Sequence, residues 1–144
     1  MTPDQKQIVQ ETWKQVIPIA DQAAEVFYRR LFDIDPTTRP LFADTDMAEQ
    51  RKKLVQTLAM AVGALDRLDE LTPKLEALGR SHTGYGVRDG HYASVGAALL
   101  WTLERGLGSE WTPATGAAWT AAYGALSGIM RGAAAREALL HAVA

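Results

Sequence analysis

The sequence predicts an all-α domain, and three observations carry that reading. Apolar residues recur at three- and four-residue spacing in one segment after another, the period of a single helical face. The pairs Thr2-Pro3, Asp35-Pro36, Thr72-Pro73 and Thr112-Pro113 each place a capping side chain before a proline, which is a helix-start signal. Strand-like alternation and Asn-Gly hairpin turns are absent. The 144 residues suit one domain, 1–144, of about seven helices of unequal length. Short elements at sharp corners do not suit an up-down four-helix bundle, whose helices are long and similar.

Thr2-Pro3-Asp4-Gln5 opens the first helix as a capping box, and its apolar stripe is Val9, Trp13, Val16 and Ile17. Pro18 breaks that pattern. A second helix carries Ala20, Ala23, Ala24, Phe27 and Leu31 on its inner face, with Tyr28 at the border. Asp35-Pro36 starts a short helix of about two turns, which Pro40 limits and Leu41-Phe42 closes. Asp46 with Glu49 caps a helix bearing Gln50, Leu54, Leu58, Ala61 and Leu65, and Arg51, Lys52, Lys53 and Gln56 form its solvated face. Thr72-Pro73 starts the next helix, where Leu71, Leu75, Leu78 and His82 share one face; Gly84 and Gly86 stop it. A long helix runs from about Tyr92 through Val95, Gly96, Leu99 and Leu103 to Leu107 and ends at Gly106 and Gly108. Thr112-Pro113 starts the last helix, with Trp119, Tyr123, Leu126 and Met130 on one stripe, and its alanine-rich tail is expected to fray.

Composition narrows the function. Lys plus Arg is 15 and Asp plus Glu is 17, so the net charge is 15 − 17 = −2 with histidine neutral. That balance argues against a nucleic-acid or anionic-membrane surface. There are no cysteines, which removes disulfides, thiolate metal sites and cysteine nucleophiles and suits a reducing compartment. No leader segment and no run of membrane-spanning length is present, so the expected location is the cytoplasm.

Several chemistries are absent at the level of motif. There is no phosphate loop, no Rossmann glycine fingerprint, no Glu-x-x-His pattern and no His-Glu-x-x-His zinc helix. His82, His91 and His141 are too scattered for a multi-histidine metal site. A single histidine on an apolar face is an ordinary core feature, but it is also what an axial ligand requires. One protein ligand plus four from a macrocycle holds a metal, so haem fits that arithmetic.

A set of residues at family spacing turns this into a resemblance. Phe27-Tyr28, Asp35-Pro36, Arg39-Pro40-Leu41-Phe42, Gln50 with Leu54, Ser81-His82, Gly86-Val87, His91-Tyr92, Val95-Gly96, and Trp119 with Ala122-Tyr123 span essentially the whole chain. The chain resembles the globin family, and within it the single-domain bacterial globins akin to the haem domain of flavohaemoglobins and to neuroglobin-type globins. The resemblance implies a globin fold of about seven helices sandwiching haem b (iron protoporphyrin IX). It implies His82 as the proximal iron ligand and Phe42 as the phenylalanine wedged against the porphyrin. Tyr28 and Gln50 take the distal positions that stabilise a gas ligand, and Leu54 the apolar position over the iron. Leu78, Val87, Val95 and Leu126 become pocket walls, and Lys53 reaches a propionate from the rim. Tyr92 matches a tyrosine that joins a glutamate in hydrogen-bonding the proximal imidazole; the glutamate's position reads Ala134 here, with Glu137 one turn further.

The resemblance implies reversible binding of dioxygen, carbon monoxide and nitric oxide at ferrous iron. Dioxygen on ferrous haem carries partial negative charge, and a phenol and an amide donor in a dry pocket each contribute about 1 kcal/mol toward holding it. Glutamine is a poor iron ligand beside histidine, so an open sixth position is expected. The first expectation is an oxygen carrier or store. The alternative is a nitric oxide dioxygenase served by a separate reductase, which the departure at Ala134 disfavours. A gas sensor and a haem-free helical regulator are weaker readings. His91 is expected to be structural at the start of the long helix or to lie near a propionate. No nucleic-acid or membrane partner is expected, and the expected assembly is a monomer or weak dimer.

Overall fold

Six α-helices and four short 3-10 segments occur among the described residues, and no strand does. The computed structural model describes the backbone of residues 1–84 and 86–143 and the side chains of residues 1–82 and 86–135. The α-helix count is just below seven because the short element after Asp35 is a 3-10 segment, Pro36–Phe42. Pro40 has no N–H, so it cannot donate to the Pro36 carbonyl and continue an α-helical ladder.

Helix α1 spans Pro3–Val16 and has the expected capping box: the Gln5 amide N–H donates to Thr2 Oγ1 at 3.1 Å, and the Thr2 N–H donates to Gln5 Oε1 at 3.0 Å. Val9, Trp13 and Val16 are buried, but Ile17 is 54% exposed. Pro18 turns the chain into a 3-10 segment at Ile17–Ile19, which rotates Ile17 off the stripe. Helix α2 spans Ala20–Ile34 and buries Ala24, Phe27 and Leu31 as expected; Tyr28, expected at the border, is buried with them. Helix α3 spans Met47–Gly63, and Asp46 Oδ1 accepts from the Ala48 and Glu49 N–H groups at 3.0 and 3.4 Å. Leu65, expected on the face of α3, is buried in a separate 3-10 segment, Leu65–Arg67.

Helix α4 spans Leu68–Gly84, so it begins five residues before the proline that was expected to start it. Thr72 does not cap it. Its hydroxyl donates back to the Leu68 carbonyl at 2.8 Å, inside the helix, and Pro73 lies within the element. The reason is tertiary: Leu68 packs against both apolar clusters of the fold, and that burial outweighs the local start signal. The other end follows the sequence. The Val87 N–H donates to the His82 carbonyl at 2.9 Å, with Gly86 at φ 91°. This six-residue closure needs a left-handed residue, which glycine adopts without strain.

Helix α5 spans Asp89–Leu107, starting three residues before Tyr92, and Gly108 at φ 55° ends it. Helix α6 spans Pro113–Val143. The main packing pairs are α4 with α6, α2 with α5, and α1 with α6. The core forms two clusters. The larger joins α1, α2, α5 and α6 through Trp13, Phe27, Leu31, Leu99, Leu103 and Trp119. Within it the Trp119 Nε1–H donates to Thr12 Oγ1 at 2.9 Å, which satisfies a buried indole. The smaller cluster holds Ala61, Ala64, Leu71 and Leu75, with Leu78, Leu126, Ile129 and Met130 packed against it. Helices α4 and α6 approach so closely at Gly79 that a Cβ there would lie 2.2 Å from the Met130 carbonyl oxygen.

Candidate functional site

Tyr28 is the buried polar residue of α2, and its environment follows from its neighbours. Phe27 meets its ring edge-on at 4.9 Å between centroids, Phe42 does so at 5.4 Å, and Phe32 lies at 6.2 Å. The 3-10 segment brings Phe42 over this cluster, because Asp35 closes the corner between α2 and Pro36. Gln50, one turn into α3, donates from Nε2 to the Tyr28 hydroxyl at 3.0 Å. Burial pushes the phenol above its ordinary pKa, and the Gln50 hydrogen bond pulls it part of the way back. The phenol therefore keeps its proton at neutral pH. Since its oxygen already accepts from Gln50, that proton is the group Tyr28 has to offer.

His82 lies on α4, one turn after Leu78, and is half-buried. Its Nδ1 is buried and has no hydrogen-bond partner. Burial holds the imidazole below its ordinary pKa; the Leu78 carbonyl opposes this, though it stops short of hydrogen-bond geometry. The ring is thus kept neutral, with a lone pair available, as metal ligation requires.

Tyr92 meets His82 edge-on, with ring centroids 6.4 Å apart at an interplanar angle of 78°. The expected hydrogen bond between them is not formed: the buried Tyr92 hydroxyl has no partner. The described chain offers no carboxylate between them, since Ala134 carries none, and Glu137 lies outside the described residues. His141 does too. Burial, and secondly the charge of Asp89, push the Tyr92 phenol up, with Arg131 opposing. Tyr92 is held by its backbone instead, because the Tyr123 hydroxyl donates to its carbonyl at 2.5 Å. Gly96 makes room for that ring; a Cβ there would lie 2.7 Å from Tyr123 Cε2.

The remaining candidates divide between the two clusters. Leu54, Val95 and Phe42 pack against the larger one, which contains Tyr28. Leu78 and Leu126 pack against the smaller one, on the His82 side. Val87 is half-buried where α4 closes, and Lys53 is exposed on α3. The set fits a porphyrin chemically. It holds a neutral imidazole with an unpartnered buried nitrogen on α4, a phenol and an amide on α2 and α3, and aliphatic or aromatic side chains in the clusters that pack around each. Elsewhere among the described residues, a cavity of about 20 Å³ lined by residues such as Trp13, Phe27 and Leu103 is apolar and no larger than a water molecule.

One cluster escaped the sequence. His91 is buried, its Nδ1 accepts from the Arg88 N–H at 2.9 Å, and its Nε2 lies 3.1 Å from Thr37 Oγ1. Thr37 donates to Asp35 Oδ1, and Ser94 Oγ donates to Asp35 Oδ2 at 2.7 Å. His91 is therefore structural at the helix start, as expected, but it also reaches the corner that carries Phe42. The signal was hidden because a histidine in the third helical position replaces the Glu or Gln of the usual capping pattern.

Residues 25–130 match the family model described as Globin. The chain is 30% identical to a flavohemoprotein of Bacillus subtilis over 123 residues, which is 81% of this chain and 31% of that protein. It is also 30% identical to a flavohemoprotein of Bordetella parapertussis over 146 aligned residues, covering 100% of this chain and 36% of that protein. The chain thus spans about a third of the length of these curated relatives. Its fold is similar to a solved bacterial globin from Campylobacter jejuni, with a TM-score of 0.82 and 25% identity over 94% of this chain and 97% of that one. With a family model covering most of its helical core, the chain belongs to the globin family.

Proposed function

We propose that residues 1–144 act as one globin domain that binds haem b and reversibly binds dioxygen, carbon monoxide and nitric oxide at its ferrous iron, as a carrier or store. Globin membership itself brings haem and diatomic gases as the class of cofactor and ligand. Haem, when bound, supplies the iron that takes the gas. The protein's part is to hold the group and to shape both its sides. His82 is the proximal ligand, and Tyr28 and Gln50 face the gas. Phe42, Leu54, Leu78, Val87, Val95 and Leu126 are the apolar walls, and Lys53 is the rim cation for a propionate. Among the described residues no helix is long and apolar enough to cross a membrane. The location in this reading is the cytoplasm, and the assembly a monomer or weak dimer.

The observation that carries this reading is the Gln50–Tyr28 hydrogen bond. It engages the phenol oxygen and leaves the phenol hydrogen for an electron-rich ligand. A protonated donor in an aromatic enclosure stabilises partial negative charge more than it would in water. The test is the oxygen dissociation rate of the haem-loaded protein. Tyr28→Phe should speed it about fivefold or more, the value of one lost hydrogen bond. An unchanged rate would remove Tyr28 from gas binding.

A nitric oxide dioxygenase served by a separate reductase is the second reading, favoured by the similarity to flavohemoproteins. The unpartnered Tyr92 hydroxyl weighs against it, since the proximal imidazole receives no hydrogen bond from that phenol to strengthen its electron donation. Sustained nitric oxide consumption with oxygen, NADH and a flavin reductase separates the two. Continuous turnover favours the enzyme. One equivalent followed by stalled ferric protein favours the carrier.

A further inference from the structure

Helices α2 and α5 are one of the main packing pairs of the fold, and each presents two residues to the same stretch of surface. On α2 these are Arg30 and Ile34, and on α5 they are Trp101 and Arg105. Both pairs are one helical turn apart, which puts the two side chains of each on one helical face. The indole joins the two helices. Arg30 Cζ lies over the Trp101 ring at 4.6 Å from its centre, and Arg105 Cζ lies over it at 3.9 Å. The two positive charges are therefore at most 8.5 Å apart, the sum of those distances.

No carboxylate among the described residues answers these charges. Neither guanidinium takes part in an ion pair there: Glu25 pairs with Arg29 at 3.1 Å, and the exposed Asp33 and Glu104 reach neither head. Arg30 Nε is buried and has no acceptor. Two like charges held this close repel, and a carboxylate brought beside them relieves the repulsion. The stack also fixes both long side chains in advance, so less rotamer freedom is lost on docking. The whole chain carries a net charge of −2, so this is a local cationic spot and not part of a basic surface. Its apolar part is Ile34, 38% exposed, with the half-buried Trp101. Tryptophan and arginine are the side chains that most often anchor protein interfaces. A small free anion would engage the guanidiniums and leave Ile34 unused, whereas a protein segment with acidic and apolar side chains engages all four residues.

We propose that Arg30, Ile34, Trp101 and Arg105 form a docking surface for a partner protein whose contact segment carries carboxylates beside an apolar side chain. The carboxylates meet the two guanidiniums, and the apolar side chain packs on Ile34 and the indole. The inference stands apart from the haem reading, since none of the four residues is assigned to the pocket.

The test is titration calorimetry of the full chain with a synthetic peptide of glutamates around a central pair of leucines. A second peptide with glutamine in place of every glutamate is the control. The acidic peptide should bind, and the control should bind at least about tenfold more weakly, the effect of one charge-assisted hydrogen bond. Arg30→Gln and Arg105→Gln should each weaken the acidic peptide by a similar factor. Arg105 is exposed, so that variant decides the matter should the half-buried Arg30 prove necessary for folding. Lys14→Gln removes the same charge from the exposed face of α1 and should leave binding unchanged. Ile34→Ser should weaken both peptides alike, because it removes the apolar contact and no charge. No binding of the acidic peptide, equal binding of the control, or an equal loss in Lys14→Gln would overturn the proposal. Two further results would overturn it by naming another occupant. One is capture by phosphatidylglycerol vesicles that Arg105→Gln abolishes, with no peptide binding. The other is a dimer in sedimentation that Arg105→Gln splits, which would make the occupant a second copy of this chain.

Discussion

Gln50 Nε2 donates to the Tyr28 hydroxyl at 3.0 Å, so the amide acts through the phenol. The two residues come from different helices and are 22 positions apart, and they form one donor chain where two independent donors were expected. A chain of this kind has a measurable consequence. Gln50→Leu should speed oxygen dissociation a few-fold by loosening the orientation of the phenol, and should have no further effect in a Tyr28→Phe background. A double-mutant cycle reads the coupling, expected at about 0.5–1 kcal/mol. Strictly additive effects would mean that each residue reaches the gas on its own.

The unpartnered Tyr92 hydroxyl makes a different forecast. A buried polar group without a partner forfeits its hydration, at a cost of about 1–3 kcal/mol. Tyr92→Phe should therefore leave the haem-free protein as stable or about 1 kcal/mol more stable in urea unfolding. The iron–histidine stretching frequency of the ferrous haem protein should not move. A drop in that frequency would show that the phenol does reach the proximal imidazole.

Gly79 sits where α4 passes α6, three residues before His82. Gly79→Ala places a methyl carbon 2.2 Å from the Met130 carbonyl oxygen, and backbone cannot step aside as a flexible side chain can. Overpacking of this kind costs about 1–3 kcal/mol. The variant should melt lower and also show a disturbed Soret band, because α4 carries His82. A wild-type spectrum with a wild-type melting temperature would mean that the crossing is softer than its geometry.

The Asp89–Arg131 pair ties α5 to α6 on the surface. The Arg131 hydrogen bond holds the Asp89 carboxyl below its ordinary pKa in the folded protein. A depressed folded value means the contribution is present above the unfolded value, about 3.9, and is lost as pH falls through the folded one. Wild type should therefore exceed Asp89→Asn in urea stability at pH 6, and the two curves should converge below about pH 4. Added salt should shrink the gap at pH 6. A gap that persisted at low pH would point to packing and not charge.

Much of this protein is legible along the chain. The helices follow from apolar spacing. Thr2, Asp46 and the glycines at 86 and 108 end or begin elements where local chemistry says they should. Spacing also placed His82 with Leu75 and Leu78 on one helical face, and the family resemblance singled out Tyr28, Phe42 and Gln50. These features are local, or are repeated closely enough to form a pattern.

Other features depended on what the helices meet in space. Thr72-Pro73 carries a strong start signal, yet α4 begins at Leu68, because the half-buried Leu68 packs against two clusters that no window of sequence contains. Gly79 and Gly96 read as ordinary helical glycines until α6 lies against them. Gln50 could have faced the gas, the solvent or Tyr28, and His91 could have been any helix-start residue. Each choice was made by a partner 22 or 54 positions away. Helical periodicity and capping are short-range effects and can be read from composition and spacing. The direction of a donor chain and the closeness of a helix crossing are set by long-range packing, and only the tertiary structure decides them.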